Sequence, residues 1–249
     1  MRPALLTLDF DGTVAEAGVL VPGVVAEVAA WRASGVRVAV ITARWQLPAE
    51  VAELGPVVTT RCYGAVVQMG NTRKDWPLPP GSLNAALKDV RPHLAGSRTL
   101  VLTDDGCHTN APQRSHHRPL EAWAEGTPVL KVQYSHPDPS RVNEVAEGWR
   151  CLPGVQVIRE RTTACVLVAR GADKGSALAF AATRLGIAPS AVLAVGDGES
   201  DAALLREAGA FLRVGTHPAL ASARWSVASP LELPEQLAAL RPRLLASPP

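Results

Sequence analysis

A chain of 249 residues, 47% hydrophobic and 19% charged, is long enough for one large globular domain or two smaller ones. Its formal net charge of +2, carried by dispersed lysines and arginines, gives no electrostatic case for a nucleic-acid partner, and no uninterrupted apolar stretch is long enough for a membrane span. The first acid, Asp9, arrives too soon for the apolar core of a secretion signal, and Cys62, Cys107, Cys151 and Cys165 form no close pair, so reduced thiols and a cytoplasmic location are expected rather than zinc or disulfides.

The apolar run from Ala4 to Leu8 breaks into Asp9-Phe10-Asp11-Gly12-Thr13. A buried strand reads this way when it delivers two carboxylates into a loop. Alternation sends Asp9 and Asp11 to one side and turns Phe10 into apolar packing, while Gly12 frees the backbone to approach a ligand closely. Two like charges side by side repel, so the pair calls for a cation; a plain Asp-Gly surface turn is the alternative. Residues Val14–Val21 suit a short flap. The spacing of Val24, Val25, Val28 and Trp31 predicts a helix over Val24–Ser34, with Pro22 before it and Gly35 after. Val36–Ile41 is a second apolar strand ending in Thr42-Ala43-Arg44. A helix over Leu47–Leu54 and strands at Val57–Thr60 and Ala65–Met69 follow. Strands alternating with helices predict a parallel sheet covered by helices.

The pattern changes between Gly70 and Gly81, where turn-formers and charges gather. Helices are expected over Ser82–Leu94 and Pro139–Trp149, and strands over Thr99–Thr103, Val129–Tyr134, Val155–Arg159 and Ala164–Ala169. Asp104–Glu125, with His108, His116 and His117, reads as a long exposed loop. This succession predicts a separate α+β unit over residues 80–170, inserted into a core formed by 1–79 and 171–249. The alternation resumes with a helix over Lys174–Leu185, a strand at Ala191–Val195, the loop Gly196-Asp197-Gly198-Glu199-Ser200-Asp201, a helix at Ala202–Ala208 and a strand at Phe211–Val214. A short helix at Ala219–Ala223, an edge strand at Trp225–Ala228 and a helix over Leu233–Leu245 close the chain. The fold class expected is α/β: a doubly wound, mainly parallel Rossmann-like sheet with an inserted α+β domain.

Three further sites lie at, or pack just beyond, the carboxyl ends of predicted strands, where open parallel sheets bind ligands. Thr42 and its neighbouring N–H groups offer donors to an anionic oxygen, although a Thr after a strand is commonly a helix cap. Lys174 opens a helix whose dipole it opposes, which a phosphate nearby would explain. Gly196-Asp197-Gly198 resembles the opening of a dinucleotide fingerprint, but Asp201 stands where the third glycine belongs and carboxylates repel a pyrophosphate. Acids at a strand end suit a hard cation instead. Mg²⁺ fits, since it takes a few carboxylates plus waters and substrate phosphate.

Together Asp9, Asp11, Thr42, Lys174, Asp197 and Asp201, in DFDGTV, ITAR, DKGSAL and GDGESD, resemble the four motifs of the haloacid dehalogenase-like superfamily, in that family's order. The insertion resembles a C2-type cap, of the C2B form found in Cof-like, sucrose-phosphate, mannosyl-phosphoglycerate and trehalose-phosphate phosphatases and in phosphomannomutases. The chain departs from common members at Ser200 (often Asn), at Ala43 (often Gly) and at Cys62-Tyr63-Gly64-Ala65 (often N-G-A). The resemblance implies a Mg²⁺-dependent phosphomonoesterase acting on a small phosphorylated metabolite such as a sugar phosphate. Asp9 would be the nucleophile and Asp11 the general acid and base. The Asp9 carboxylate, the Asp11 carbonyl and Asp197 would hold Mg²⁺, with Asp201 bonding its waters or supporting Lys174. Thr42 and Lys174 would hold phosphate oxygens, with Gly12, Ala43 and Arg44 around the substrate. Arg44, Lys131, Asp104, Asp105, Arg159 and Arg161 are charged candidates for substrate contact, although each also reads as a solvated surface charge. A phosphomutase and a receiver-like phospho-acceptor are the competing readings; the second has no need of so large a cap or of Asp11.

Overall fold

Leu5–Leu8 folds as a strand inside an eight-stranded sheet, its near-continuous apolar run, broken by Thr7 alone, suiting a strand covered on both faces. It pairs in parallel with Val192–Gly196 on one side and Arg37–Ile41 on the other. Ala210–Val214 and Trp225–Val227 extend the sheet beyond the first neighbour and Val58–Arg61 beyond the second, all parallel. Val66–Met69, antiparallel to Val58–Arg61, and then Thr72–Asp75 finish the other edge. This is the computed structural model of the chain, and it describes residues 2–111, 115–124 and 126–246. They fall into two compact units, 2–74 with 173–246, and the described part of 75–172.

In the first unit, helices Val24–Ala33 and Leu233–Leu245 bury Val28, Trp31, Leu237 and Leu240 against Leu6, Leu8, Val38, Val40, Val195 and Leu212 on one face of the sheet. Helix Lys174–Leu185 packs on Ala202–Glu207 and touches strands Arg37–Ile41 and Val66–Met69. Alternation turns Leu5, Thr7, Ala39 and Ile41 toward that second face. Helices on both faces of a mainly parallel sheet make the doubly wound core that the sequence predicts. The second unit is α+β: a largely antiparallel six-stranded sheet carries helices Ser82–Val90 and Pro139–Arg150, which bury Leu83, Ala86, Val145 and Trp149 over Val101, Val132, Tyr134 and Leu167.

Several local expectations need correction. The helix expected over Leu47–Leu54 is a 3₁₀ segment, Ala49–Leu54, entered through Pro48 and stopped by left-handed Gly55; so short a piece does not reach the α form. Thr72–Asp75 is a strand rather than turn, joined to Val66–Met69 through Gly70-Asn71, a two-residue hairpin link that the residue types themselves signal. Helix Ser82–Val90 ends before Pro92 and continues as 3₁₀ over Arg91–His93. The expected helix at Ala219–Ala223 is a 3₁₀ turn at Pro218–Leu220. The long loop from Asp104 carries two short strands, Cys107–Thr109 and His117–Pro119, and a 3₁₀ turn, Leu120–Ala122. His108 is consequently 3% exposed, level with Val101 on the neighbouring strand, rather than on a solvated loop. Three-residue strands are too short to leave a periodic signal. Positions 112–114 and 125 of that predicted loop lie outside the described residues.

Candidate active site

Parallel pairing sets the site. Leu8 stands level with Val40 and with Val195, so the chain leaves three adjacent strands at one sheet edge, through Asp9–Thr13, Thr42–Arg44 and Asp197–Asp201. Lys174 comes to the same place from its helix. Asp173 caps that helix by accepting the Ser176 N–H at 2.8 Å, which fixes where its first turn begins.

The Lys174 ammonium donates to Asp9 Oδ1 and to Asp201 Oδ1, each at 2.7 Å. All three side chains are buried, with residue exposures of 2%, 4% and 1%. Asp201 turns its Oδ2 to the N–H groups of Asp197 (3.1 Å) and Gly198 (3.0 Å), so the same carboxylate shapes its own loop and holds the lysine. Thr13 was not foreseen. Its hydroxyl stands between Asp197 Oδ1 (3.2 Å) and Asp9 Oδ2 (3.4 Å), and its place two residues after Asp11 was the available signal. Gly12 does allow a close approach, but the group approached is Asp197. With φ at 75°, a Cβ on residue 12 would overlap the Asp197 carboxylate.

Asp11 behaves differently from Asp9. The two carboxylates bond different cationic side chains, Asp9 to Lys174 and Asp11 to Arg44. Arg44 grips Asp11 with two bonds, Nε to Oδ2 at 2.7 Å and Nη2 to Oδ1 at 2.6 Å, and lies over the Phe10 ring with its guanidinium carbon 5.0 Å from the centroid. The Asp11 side chain is about half exposed. Thr42 is buried, its hydroxyl accepting the Arg44 N–H at 3.2 Å, so it shapes the turn that presents Arg44. The flap expected at Val14–Val21 is a two-stranded ribbon, Ala15–Glu16 with Val19–Leu20, whose Gly18 lies close to the Arg44 guanidinium.

Charge is out of balance at the centre. One ligand atom from each of Asp9, Asp197 and Asp201 falls within 4.8 Å of the others, and Lys174 is bonded to two of the three. Burial pushes the Asp9 carboxyl well above the usual carboxylate range, Lys174 pulling against that and Asp201 and Asp197 adding to it. Burial and Asp201 raise Asp197 in the same way. Burial works against the Lys174 charge, yet Asp201 and Asp9 outweigh it and hold the ammonium ionised. An all-oxygen donor set with excess negative charge fits a hard divalent cation, which would relieve both raised carboxylates.

The charged candidates of the second unit have partners of their own. Arg159 bonds Asn143 (2.7 Å) and the Thr162 carbonyl (3.0 Å), and Asp105 accepts from Thr103 at 2.6 Å. Lys131 is buried, while Asp104 and Arg161 are exposed.

Comparison with known proteins gives three kinds of likeness. The family described as haloacid dehalogenase-like hydrolase matches residues 6–227. A phosphoglycolate phosphatase of Methanopyrus kandleri is 32% identical over 145 residues, 53% of this chain and 60% of that protein, so the likeness spans less than two thirds of that relative. A solved sugar phosphatase of subclass IIB of the superfamily superposes with a TM-score of 0.82 at 16% identity, covering 95% of this chain and 98% of that one. A haloacid dehalogenase-like hydrolase from Bacteroides thetaiotaomicron gives 0.81 at 18% identity, over 96% and 100% of the two chains. One from B. subtilis gives 0.81 at 16%, over 95% and 99%. At such identities the structural likeness is one of fold.

Proposed function

Because this chain belongs to the haloacid dehalogenase-like hydrolase family, we propose that it is a Mg²⁺-dependent phosphatase of small phosphorylated metabolites, sugar phosphates foremost, working through an aspartyl-phosphate on Asp9. The observation that carries the reading is the buried contact of one lysine with two acids, Lys174 with Asp9 and Asp201, beside Asp197 at a strand-end edge. The phosphatases among the similar proteins support the substrate class.

Phosphoryl transfer needs positioning and charge neutralisation more than covalent machinery. With Oδ1 engaged by Lys174, Asp9 has Oδ2 for attack on phosphorus, and Thr13 steadies that oxygen. Lys174 and the Thr42 loop donate hydrogen bonds to the negative oxygens of the transferred group. Asp11, freed from Arg44 as the substrate enters and protonated from solvent, gives that proton to the departing oxygen and then takes one from the water that opens the phospho-Asp9 bond. Asp9, Asp197 and the Asp11 carbonyl would hold Mg²⁺, and Asp201 supports Lys174. The ion supplies charge neutralisation between a carboxylate nucleophile and a phosphate dianion.

Phosphate release from a panel of sugar phosphates, phosphoglycolate and p-nitrophenyl phosphate, assayed with Mg²⁺ and with EDTA, tests the proposal. Release that depends on Mg²⁺ is expected; no release from any ester, or equal release in EDTA, overturns it.

A further inference from the structure

We infer that the turn Cys62–Tyr63–Gly64 is a positioning element of the phosphoryl-transfer site, clasping the Thr42–Arg44 loop to the start of the Lys174 helix; this rests on the phosphatase reading above. The three residues have φ of 52°, 63° and 107° in succession. Two of them carry a Cβ, and L residues avoid that region unless their surroundings hold them in it. Among the described residues the one other non-glycine with positive φ is Ala17, at the tip of the two-residue ribbon turn where such a value is usual. Joining Val58–Arg61 to the antiparallel Val66–Met69 does not demand a run of three.

What the conformation achieves is visible in its contacts. The Cys62 N–H donates to the Arg44 carbonyl at 2.8 Å and the Tyr63 N–H to the Thr42 carbonyl at 3.2 Å. Both residues are buried, so these bonds face no competition from water. Gly64 lies so close to the lysine helix that a Cβ there would stand 2.5 Å from the Asp173 carbonyl oxygen and 2.9 Å from Ala177 Cβ. That carbonyl accepts the Ala177 N–H at 3.0 Å, closing the first helical turn behind Lys174. One buried turn therefore backs two arms of the site. Through Arg44 it reaches Asp11, and through the helix start it reaches Lys174, Asp9 and Asp201. Neither Cys62 nor Tyr63 is a preferred left-handed residue type, so the conformation is imposed by these contacts and not by local sequence.

The test compares kcat on p-nitrophenyl phosphate, per folded molecule and well below each Tm, for the wild type, Gly64→Ala, Cys62→Asn and Cys62→Val. A displaced helix start should lower kcat about 100-fold in Gly64→Ala. Asn tolerates the left-handed region, so Cys62→Asn should stay within about threefold of wild type, whereas the β-branched Cys62→Val should lose at least about tenfold. An active wild type with Gly64→Ala and Cys62→Val lowered only in Tm, kcat unchanged, makes the turn merely structural and overturns this inference while leaving the phosphatase reading intact. A wild type without phosphatase activity overturns both.

Discussion

Replacing Lys174 by methionine keeps the aliphatic stem and removes the ammonium group. Asp9 and Asp201 each lose a 2.7 Å charge-assisted bond, and three clustered carboxylates are left without the lysine. Deleting one partner of a buried pair costs about 3–5 kcal/mol. For a chain of this size each kcal/mol moves Tm by about 2–4 °C, so the metal-free variant should melt on the order of 10 °C lower at neutral pH. The pH dependence follows from the raised Asp9 and Asp197 carboxyls. A carboxyl whose folded pKa exceeds its unfolded value favours the folded state below the unfolded value, and that contribution is lost as pH rises through the folded one. Removing Lys174 raises the folded values further. The deficit should therefore be widest at neutral pH and close as the acids protonate. Thermal melts by circular dichroism in EDTA, wild type beside variant across pH, read this directly. A deficit under about 2 °C at neutral pH, or one that does not shrink toward about pH 4.5, refutes the charge account.

Asp9→Asn should abolish phosphate release while the far-ultraviolet spectrum stays that of the wild type; residual turnover above about one thousandth of wild type would remove Asp9 as nucleophile. Mg²⁺ at about 100 times its Kd should stabilise the wild type by about 2.7 kcal/mol, about 5–10 °C in Tm, with a smaller gain in Asp197→Asn. Equal shifts in both would place the ion elsewhere. Of the four thiols, Cys151 is exposed and the others are buried, with burial pushing Cys165 up to about 12. A thiol reagent at neutral pH should label one cysteine in the native protein and four after denaturation, as counted by mass spectrometry.

The strand ends were legible because the chemistry there is abrupt. Apolar runs stop at Asp9, Thr42 and Asp197, and parallel pairing then has to bring those stops to one edge. Who holds whom was not legible. Nothing near Arg44 in the chain says that its guanidinium takes Asp11, and Lys174 reaches Asp9 across 165 positions. The short strands Cys107–Thr109 and His117–Pro119 exist through pairing with neighbours, so no local period announces them. The left-handed Cys62 and Tyr63 lie deepest: their residue types argue against the conformation, and only Gly64 beside them hints at it.

The distance along the chain between Asp9 and Lys174 also sets a clock. At roughly 5–20 residues per second, a ribosome adds the lysine about ten to thirty seconds after the aspartate. Throughout that interval Leu5–Leu8 also lacks Val192–Gly196, one of its two sheet partners. Until the second half of the core emerges, the nascent chain thus carries an apolar strand with an open edge and an acid without its counter-ion, the condition in which unpaired edges favour association over folding.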